Sequence, residues 1–578
     1  MKINTLNYPQ LRRVLSYAKP YRVNLYLAIA LAIAVACITP LRPVLIQQTI
    51  DVYIAHNWVN AIICITALQV GILLVETLVR YYFTYLTSWL GQHVIANIRT
   101  QIFNKITQLN LRQYDTTPIG TLTTRTINDI EAINDIFSDG LIPIIADFLS
   151  ILFVVAVMCT YNWQLTLAAL APFPIIIIAT YYFKESVNKS FHTVRNAIAS
   201  LNAFVQEHIG GMQVVQTFNA EANEYKKFTA INATHRNANI NAIFAYSVFF
   251  PVVEIVLALS IALMVWKGAA IPVTGGVMVL FILLLNSIFR PLRVIADKFN
   301  VIQMGMVASE RVFKLMDNSD VTNYNTTGST APLVGNIQFN QVSFSYLPNQ
   351  PVLRNVTFSV AQHKTLAIVG STGSGKTTII SLLNQLYQVQ SGSITIGGIN
   401  IKDIATSNLR QQIGVVLQDI YLFNDSIYQN LTLGNTKISQ AMVEVATKTL
   451  GIHQFITKLP GGYNYMVMER GATLSVGQRQ LLCFARALLY NPNILVLDEA
   501  TSSVDTHSEQ LIQQAIDKLI QNRTSIIIAH RLSTIQKADS IVVMHKGEVV
   551  EIGTHAELIS KNGYYATLHK LQFEGREN

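Results

Sequence analysis

The sequence predicts an α-helical membrane domain, with six transmembrane helices carrying long cytoplasmic extensions, followed by an α/β domain of the P-loop type. Three observations predict it. The first half holds six apolar stretches, each near the ~20 residues that cross a bilayer. Beyond residue 317 the texture changes to short β-branched runs alternating with helical patterns. One of those runs leads into a glycine-rich phosphate-binding pattern at the start of a helix.

Composition fits that division. Of 578 residues, 51% are hydrophobic and 13% charged, whereas soluble domains carry about 25% charged residues. An ordinary cytosolic enzyme is excluded, and the second half is too polar to be membrane throughout. The 25 Phe and 24 Tyr exclude disorder. A net charge of +9 would suit nucleic acid in a soluble protein. In a chain with spans it reads as the positive-inside bias, and no nucleic-acid partner is expected. Cys37, Cys64, Cys159 and Cys483 form no CxxC pair and are expected as buried small hydrophobes, with no disulfide or zinc site.

Residues 1–22 are expected to form a cytoplasmic, interfacial helix, because QLRRVLSYAKPYR sets Leu11, Val14 and Leu15 on one face. A membrane domain follows over 23–316, with spans at 23–45, 60–82, 141–161, 165–183, 243–266 and 273–289. The first is too long for a cleaved signal and lacks a small-residue cleavage site. Arg12, Arg13, Lys19 and Arg22 precede it, and the long loops after spans two and four hold ten more cationic residues, among them Arg99, Arg125, Lys189 and Lys226. The short loops hold only Lys267. A multi-pass protein of the cell (inner or plasma) membrane is expected, with both termini cytoplasmic. Trp58, Trp163 and Trp266 fall at the short-loop ends, as an outer aromatic belt requires.

The long loops keep helical spacing over 89–111 and 197–228, broken by turns such as DTTPIG. They read as spans continuing into the cytoplasm as helical stalks. The stretch DNSDVTNYNTTGST opens a polar linker, 317–334, before the α/β domain of 335–578. That domain contains IQFNQVSFSY, TLAIVG, ILVLDEA, SIIIAH and SIVVMH as candidate buried strands.

Within TLAIVGSTGSGKTT, Gly370, Gly375, Lys376 and Thr377 match G-x-x-x-x-G-K-[ST], and Ser371, Thr372, Gly373, Ser374 and Thr378 complete the loop. The chemistry needs these types. Glycines let backbone N–H groups wrap phosphates, Lys376 reaches the β/γ oxygens, and the Thr377 hydroxyl ligates Mg²⁺. In ILVLDEATSSVD a strand ends in two acids, which puts Asp498 on the metal and Glu499 where it can polarise water. The pair predicts hydrolysis of a nucleoside triphosphate.

With these residues in view, the second domain resembles the ATPase of an ABC transporter, and the whole chain resembles an exporter-type fused half-transporter. The most specific marker is LSVGQRQLLCFARALLYNP, similar to the family signature LSGGQ. The resemblance implies ATP and Mg²⁺ as cofactors. It also implies a dimer with a second copy or a homologous half-transporter, in which Ser475, Gly477 and Gln478 meet the ATP of the partner. Tyr346 resembles the aromatic that stacks on adenine. Gln418 resembles the loop glutamine that approaches Mg²⁺ and water. Glu469, Arg470 and Gly471 resemble the loop before the signature, Asp505 the D-loop, and His530 the switch histidine at the γ-phosphate.

Val476 replaces the first signature glycine, which is either tolerated or weakens the site. Segments 113–130 and 207–221 resemble the two cytoplasmic loops whose short turns seat in ATPase domains near Gln418 and its neighbouring surface.

The implied activity is ATP-driven export or flipping of a hydrophobic or amphipathic substrate, with membrane lipid as surroundings. The alternatives are a dedicated lipid or lipid-A flippase, or a membrane-anchored ATPase without transport. Six spans argue against a mere anchor. Glu76, Asp147 and Glu254 interrupt spans two, three and five, the last two near mid-depth. A charge there costs roughly 2.5–3.5 kcal/mol, so each needs a cavity or a partner. Two readings stand: structural ion pairs with Arg42 and Arg290, or unpaired acids lining a substrate cavity that favours cationic amphiphiles.

Overall fold

The computed structural model describes residues 8–573 apart from 323, 499–505 and 530. Among the described residues, six helical runs are long and apolar enough to cross a membrane: Lys19–Ile54, Val59–Gln108, Ile119–Tyr161, Trp163–Val187, Glu221–Ala269 and Gly275–Met316. Val59–Gln108 is one unbroken helix of 50 residues. At 1.5 Å per residue it extends for about 75 Å, over twice a hydrocarbon core. The helices Phe173–Gly210 and Glu221–Ala269 are as continuous, the first of them following Trp163–Leu170 after a turn at Ala171 and Pro172. They pack through Phe183 stacked on Phe249 at 4.0 Å and, further along, through Val194, Ala197, Ala238 and Ala242. Small side chains there let the two backbones run close.

The first and third runs are broken, and prolines explain it. The first is helical over Arg22–Ile38, turns at Pro40, resumes over Leu41–Gln48 and ends in a π-helical turn, Thr49–Ile54, nine residues beyond the expected end at 45. In the third, Pro143 has no N–H for residue 139, and a π turn, Ile136–Gly140, joins Asn128–Asp135 to Leu141–Tyr161. At the end of the first run, Asp51 accepts hydrogen bonds from Thr274 Oγ1 (2.5 Å), the Gly276 N–H (2.8 Å) and Gln47 (2.6 Å). This fastens it to the start of Gly275–Met316.

Each of the three acids has a basic partner. Glu76 meets Arg80 at 3.2 Å and Arg42 at 3.8 Å, Glu254 meets Arg293 at 2.6 Å, and Asp147 pairs with Lys298. Arg42 is a partner as expected; Arg293 and Lys298 take the place given to Arg290. The cysteines also differ from expectation, since Cys64 and Cys159 are exposed and Cys37 and Cys483 only part-buried.

The N-terminal helix, Tyr8–Ser16, buries Val14 completely. Its Arg13 grips Asp317 through two bonds of 2.5 and 2.7 Å, with the guanidinium 4.2 Å above the Phe313 ring.

In the second long loop, His208 Nε2 lies 2.7 Å from Glu224 Oε2, and Lys227 bonds the other oxygen. The bond to Glu224 raises the His208 pKa above its ordinary value. A raised value stabilises fully below about pH 6.5 and is lost as pH rises through the folded pKa. Amide exchange of 208–224, corrected for its intrinsic pH dependence, should therefore accelerate above pH 6.5. His208→Gln should flatten that dependence, and an unchanged profile would refute it.

The chain divides into two compact units, 1–108 with 117–319, and 109–116 with 320–578. The second thus includes a short piece of the first cytoplasmic loop. Its strands are β1 (Ile337–Phe344), β2 (Leu353–Val360), β3 (Thr365–Gly370), β4 (Ser391–Ile396), β5 (Ile399–Asn400), β6 (Ile413–Val416), β7 (Asp425–Ser426), β8 (Met466–Val467), β9 (Ile494–Asp498), β10 (Thr524–Ile528), β11 (Ser540–His545) and β12 (Glu548–Gly553). A sheet ordered β2-β1-β4-β5 lies beside one ordered β12-β11-β3-β10-β9-β6. In the larger sheet every pairing is parallel except β11 with β12. Along β3, Leu366 and Ile368 enter one core while Ala367 and Val369 enter the other. Burial on both faces makes such strands continuous apolar runs.

Candidate active site

Strand register assembles the site. β10 lies between β3 and β9, pairing Ile528 with both Ile368 and Asp498, so the phosphate loop and Asp498 leave the sheet at one edge. That carboxyl-end crevice is where open α/β sheets bind ligands. Gly370 has no room for a side chain, because a Cβ would come within 2.3 Å of the Met544 carbonyl oxygen. Gly375, at φ +98°, turns the chain into the helix Lys376–Leu383 in a conformation L side chains rarely adopt.

Lys376 is only 9% exposed. Its ammonium donates to the carbonyls of Gly370 (2.8 Å) and Ser371 (3.0 Å). Burial lowers its pKa, and the charge of Asp498 partly opposes this. Asp498 is buried at the end of β9, and Thr377 Oγ1 approaches its Oδ2 at 3.4 Å. Burial raises the Asp498 pKa against the Thr377 bond and the Lys376 charge, and Asp419 adds to the rise.

These residues fit a triphosphate with its cation. Among the described residues, Ser374 Oγ is buried with no hydrogen-bond partner and Lys376 bonds only backbone carbonyls, while the hydroxyl and carboxylate of Thr377 and Asp498 form an oxygen pair suited to a hard dication.

The other expected residues surround this centre to different degrees. The Tyr346 hydroxyl donates to Thr378 Oγ1 at 3.2 Å, and its ring is 36% exposed beside the loop helix. Gln418 is exposed two residues past β6, which pairs Val416 with Leu497, so it leaves the same edge as Asp498. Ser475 and Gln478 cap the helix Val476–Leu489 reciprocally, at 3.2 and 3.0 Å. Val476 is 40% exposed and Gly477 buried. Arg470 adopts φ +54° in the turn Glu469–Gly471, which Arg479 braces by bonding the Gly471 carbonyl at 3.1 Å. Glu499, Asp505 and His530 lie outside the described residues.

Two families match the sequence: residues 25–292 match the one described as "ABC transporter transmembrane region", and 353–502 the one described as "ABC transporter". A Bacillus subtilis (strain 168) protein named "Uncharacterized ABC transporter ATP-binding protein" is 36% identical, over 98% of this chain and 95% of that relative. The chain belongs to the ABC transporter family.

Two further relatives cover it end to end. A Staphylococcus aureus (strain NCTC 8325 / PS 47) protein named "Putative multidrug export ATP-binding/permease protein" is 35% identical over 97% of this chain and 100% of its own length. A Streptococcus pneumoniae "Putative ABC transporter ATP-binding protein" is 34% identical over 97% of each. This ABC transporter chain is an exporter-type fusion of a multi-pass membrane region and an ATPase domain. It binds ATP and couples its hydrolysis to transport.

Sequence reasoning missed Asp115 and Tyr387. The Tyr387 hydroxyl donates to the Asp115 carboxylate, and its ring meets Tyr346 edge-on at 4.9 Å. Tyr387 lies four residues past the helix Lys376–Leu383 and belongs to no motif. Asp115 lay in a turn whose expected seat was near Gln418. No local pattern links the two.

Proposed function

We propose that two such halves, identical or homologous, sandwich two ATP molecules and export or flip a hydrophobic or amphipathic substrate across the cell membrane. The carrying observation is that the signature residues make their hydrogen bonds within their own segment and none to their own chain's loop among the described residues. Ser475 caps its own helix at an exposed start, and among the described residues no hydrogen bond joins 474–480 to 370–378. If the LSVGQ segment touches ATP as its resemblance implies, the ATP belongs to a second half.

In this reading Ser371, Thr372 and Gly373 wrap the phosphates with the rest of the loop, and Lys376 holds the β/γ oxygens. Thr377, Asp498 and Gln418 hold Mg²⁺, which would neutralise charge as the γ-phosphoryl leaves. Glu499 activates the water, His530 steadies the γ-phosphate, and Tyr346 takes the adenine.

The division into 1–22, 23–316, 317–334 and 335–578 goes with cytoplasmic termini and long loops. Loop charge supports that orientation, as does the placement of exposed aromatics: Trp58, Trp163 and Trp266 at one end of the spans, Tyr81, Tyr82, Tyr181 and Tyr182 at the other. The name of the staphylococcal relative favours drug-like cargo. The ion pairs of Asp147 and Glu254 support a structural role for these acids over a cation-selective cavity.

The test is inside-out vesicles holding this chain alone, given ATP with a cationic dye or a fluorescent phosphatidylethanolamine. Movement of the dye is the expected result, and movement of the lipid alone would identify a flippase. ATP turnover with neither moving would overturn the reading. A nanodisc mass of one chain without turnover would make the second half a homologue.

A further inference from the structure

Residues 109–116 are built into the nucleotide-binding unit by four kinds of contact. Leu111 packs against the core beneath β1 and β3. The Leu109 and Val321 backbones form an isolated antiparallel bridge, and Thr322 Oγ1 donates to the Leu109 carbonyl at 3.2 Å. Asn110 Nδ2 and Gln113 Nε2 donate to the Asp320 carboxylate at 3.3 and 2.9 Å. Asp115 accepts from Tyr387.

That last bond leads to the nucleotide side. Tyr387 is buried, and burial followed by the Asp115 contact pushes its phenol pKa well up, so it stays a neutral donor. Its ring stands 87° to that of Tyr346, with centroids 4.9 Å apart, an edge-to-face pair. Phe344 buttresses both rings, at 4.9 Å from Tyr346 and 5.6 Å from Tyr387. Tyr346 in turn donates to Thr378, next to Thr377. The contacts therefore run without a gap from Asp115 through Tyr387 and Tyr346 to the loop helix.

We propose that Tyr387 is a positioning residue of the nucleotide site: Asp115 aims its ring, the ring sets the face Tyr346 offers to the base, and base occupancy is thereby felt by residues 109–116. This rests on the reading that Tyr346 stacks on adenine. A base on the open face of Tyr346 fixes that ring, and the ring presses edge-on against Tyr387. Tyr387 can hold its bond to Asp115 only in a narrow range of ring positions. Segment 109–116 follows directly on the helix Val59–Gln108, so a change in its hold reaches that helix through the chain itself.

The experiment is amide exchange of 109–116 in the full chain in nanodiscs, with and without MgATP, alongside ATP affinity. In the parent, MgATP should slow exchange of this segment. Tyr387→Phe removes the donor and keeps the ring, and should raise exchange of 109–116 with ATP bound about tenfold, the loss expected for one bond to a charged acceptor, and weaken ATP binding by up to a similar factor because the coupling is reciprocal. The difference made by ATP should then vanish. Asp115→Ala should do the same without touching the tyrosines.

An ATP-dependent difference absent from the parent, or surviving at more than half its size in both variants, would overturn the proposal. Equal acceleration with and without ATP would also overturn it, since that is what a merely structural bond would give. Tyr346→Ala separates the underlying reading. If ATP affinity is unchanged in it, the adenine assignment fails. If affinity falls while Tyr387→Phe changes nothing, the positioning role alone fails.

Discussion

Glu499→Gln should still bind MgATP and lose most turnover, by about 10²- to 10⁴-fold, the usual contribution of a positioned general base. The expectation comes from the end of β9. Asp498 is buried there and contacts Thr377, which leaves Glu499, the acid that follows it in sequence, as the candidate base. Gln keeps the size and hydrogen-bonding reach of Glu but cannot take a proton. Phosphate release measures turnover, and retention of labelled nucleotide measures binding. Turnover above half the parental rate would remove Glu499 from the role of base.

Ser475→Arg should lower turnover of the full chain by about 10²-fold or more, the scale of losing one preorganised donor at a reacting anion. ATP binding measured before turnover should stay near the parental value, because in the proposed sandwich the phosphate served by Ser475 belongs to the other half. The substitution also deletes a reciprocal cap, and losing such a cap costs about 1 kcal/mol. Ser475→Gly separates the two effects, since glycine at a helix start costs only a few tenths of that. A matching loss of binding in Ser475→Arg would place Ser475 on its own chain's nucleotide. Val476 gives a milder comparison: its side chain is 40% exposed at the start of the same helix, so Val476→Gly should keep the fold and report directly on the signature contact.

The parts of this chain that were legible in the sequence are those fixed by local pattern. Apolar runs near 20 residues, β-branched runs bounded by turns, and G-x-x-x-x-G-K-T each carry their structure within a short window, so spans, strands and phosphate loop were readable. The stalks were readable for the same reason, since apolar spacing continued beyond the membrane segments and was broken only by short turns.

Ion-pair partners were not. Arg290, Arg293 and Lys298 all follow the sixth span, and the rotation of its helix about its own axis decides which of them meets Glu254 and Asp147. The two π turns escaped because a proline marks where a helix is disturbed without saying how the backbone accommodates it. The seat of 109–116 escaped because it rests on Leu111, Asn110, Gln113 and Asp115 meeting residues more than 200 positions away.

That seat also sets an order on biogenesis. Asp115 and Tyr387 are 272 residues apart, a stretch that takes roughly 14–54 s to translate at ordinary elongation rates. Throughout that interval the loop has left the ribosome while its receiving surface has not been made. Leu111 and Tyr114 must wait in water or against lipid headgroups, offered to any chaperone or neighbouring chain. Docking of 109–116 is therefore a late step of maturation, dependent on the second unit having already folded. A substitution that slows folding around Tyr387 would act first on a loop nearly three hundred residues upstream, and would show itself as a membrane protein inserted on time but left open to proteolysis at residues 109–116.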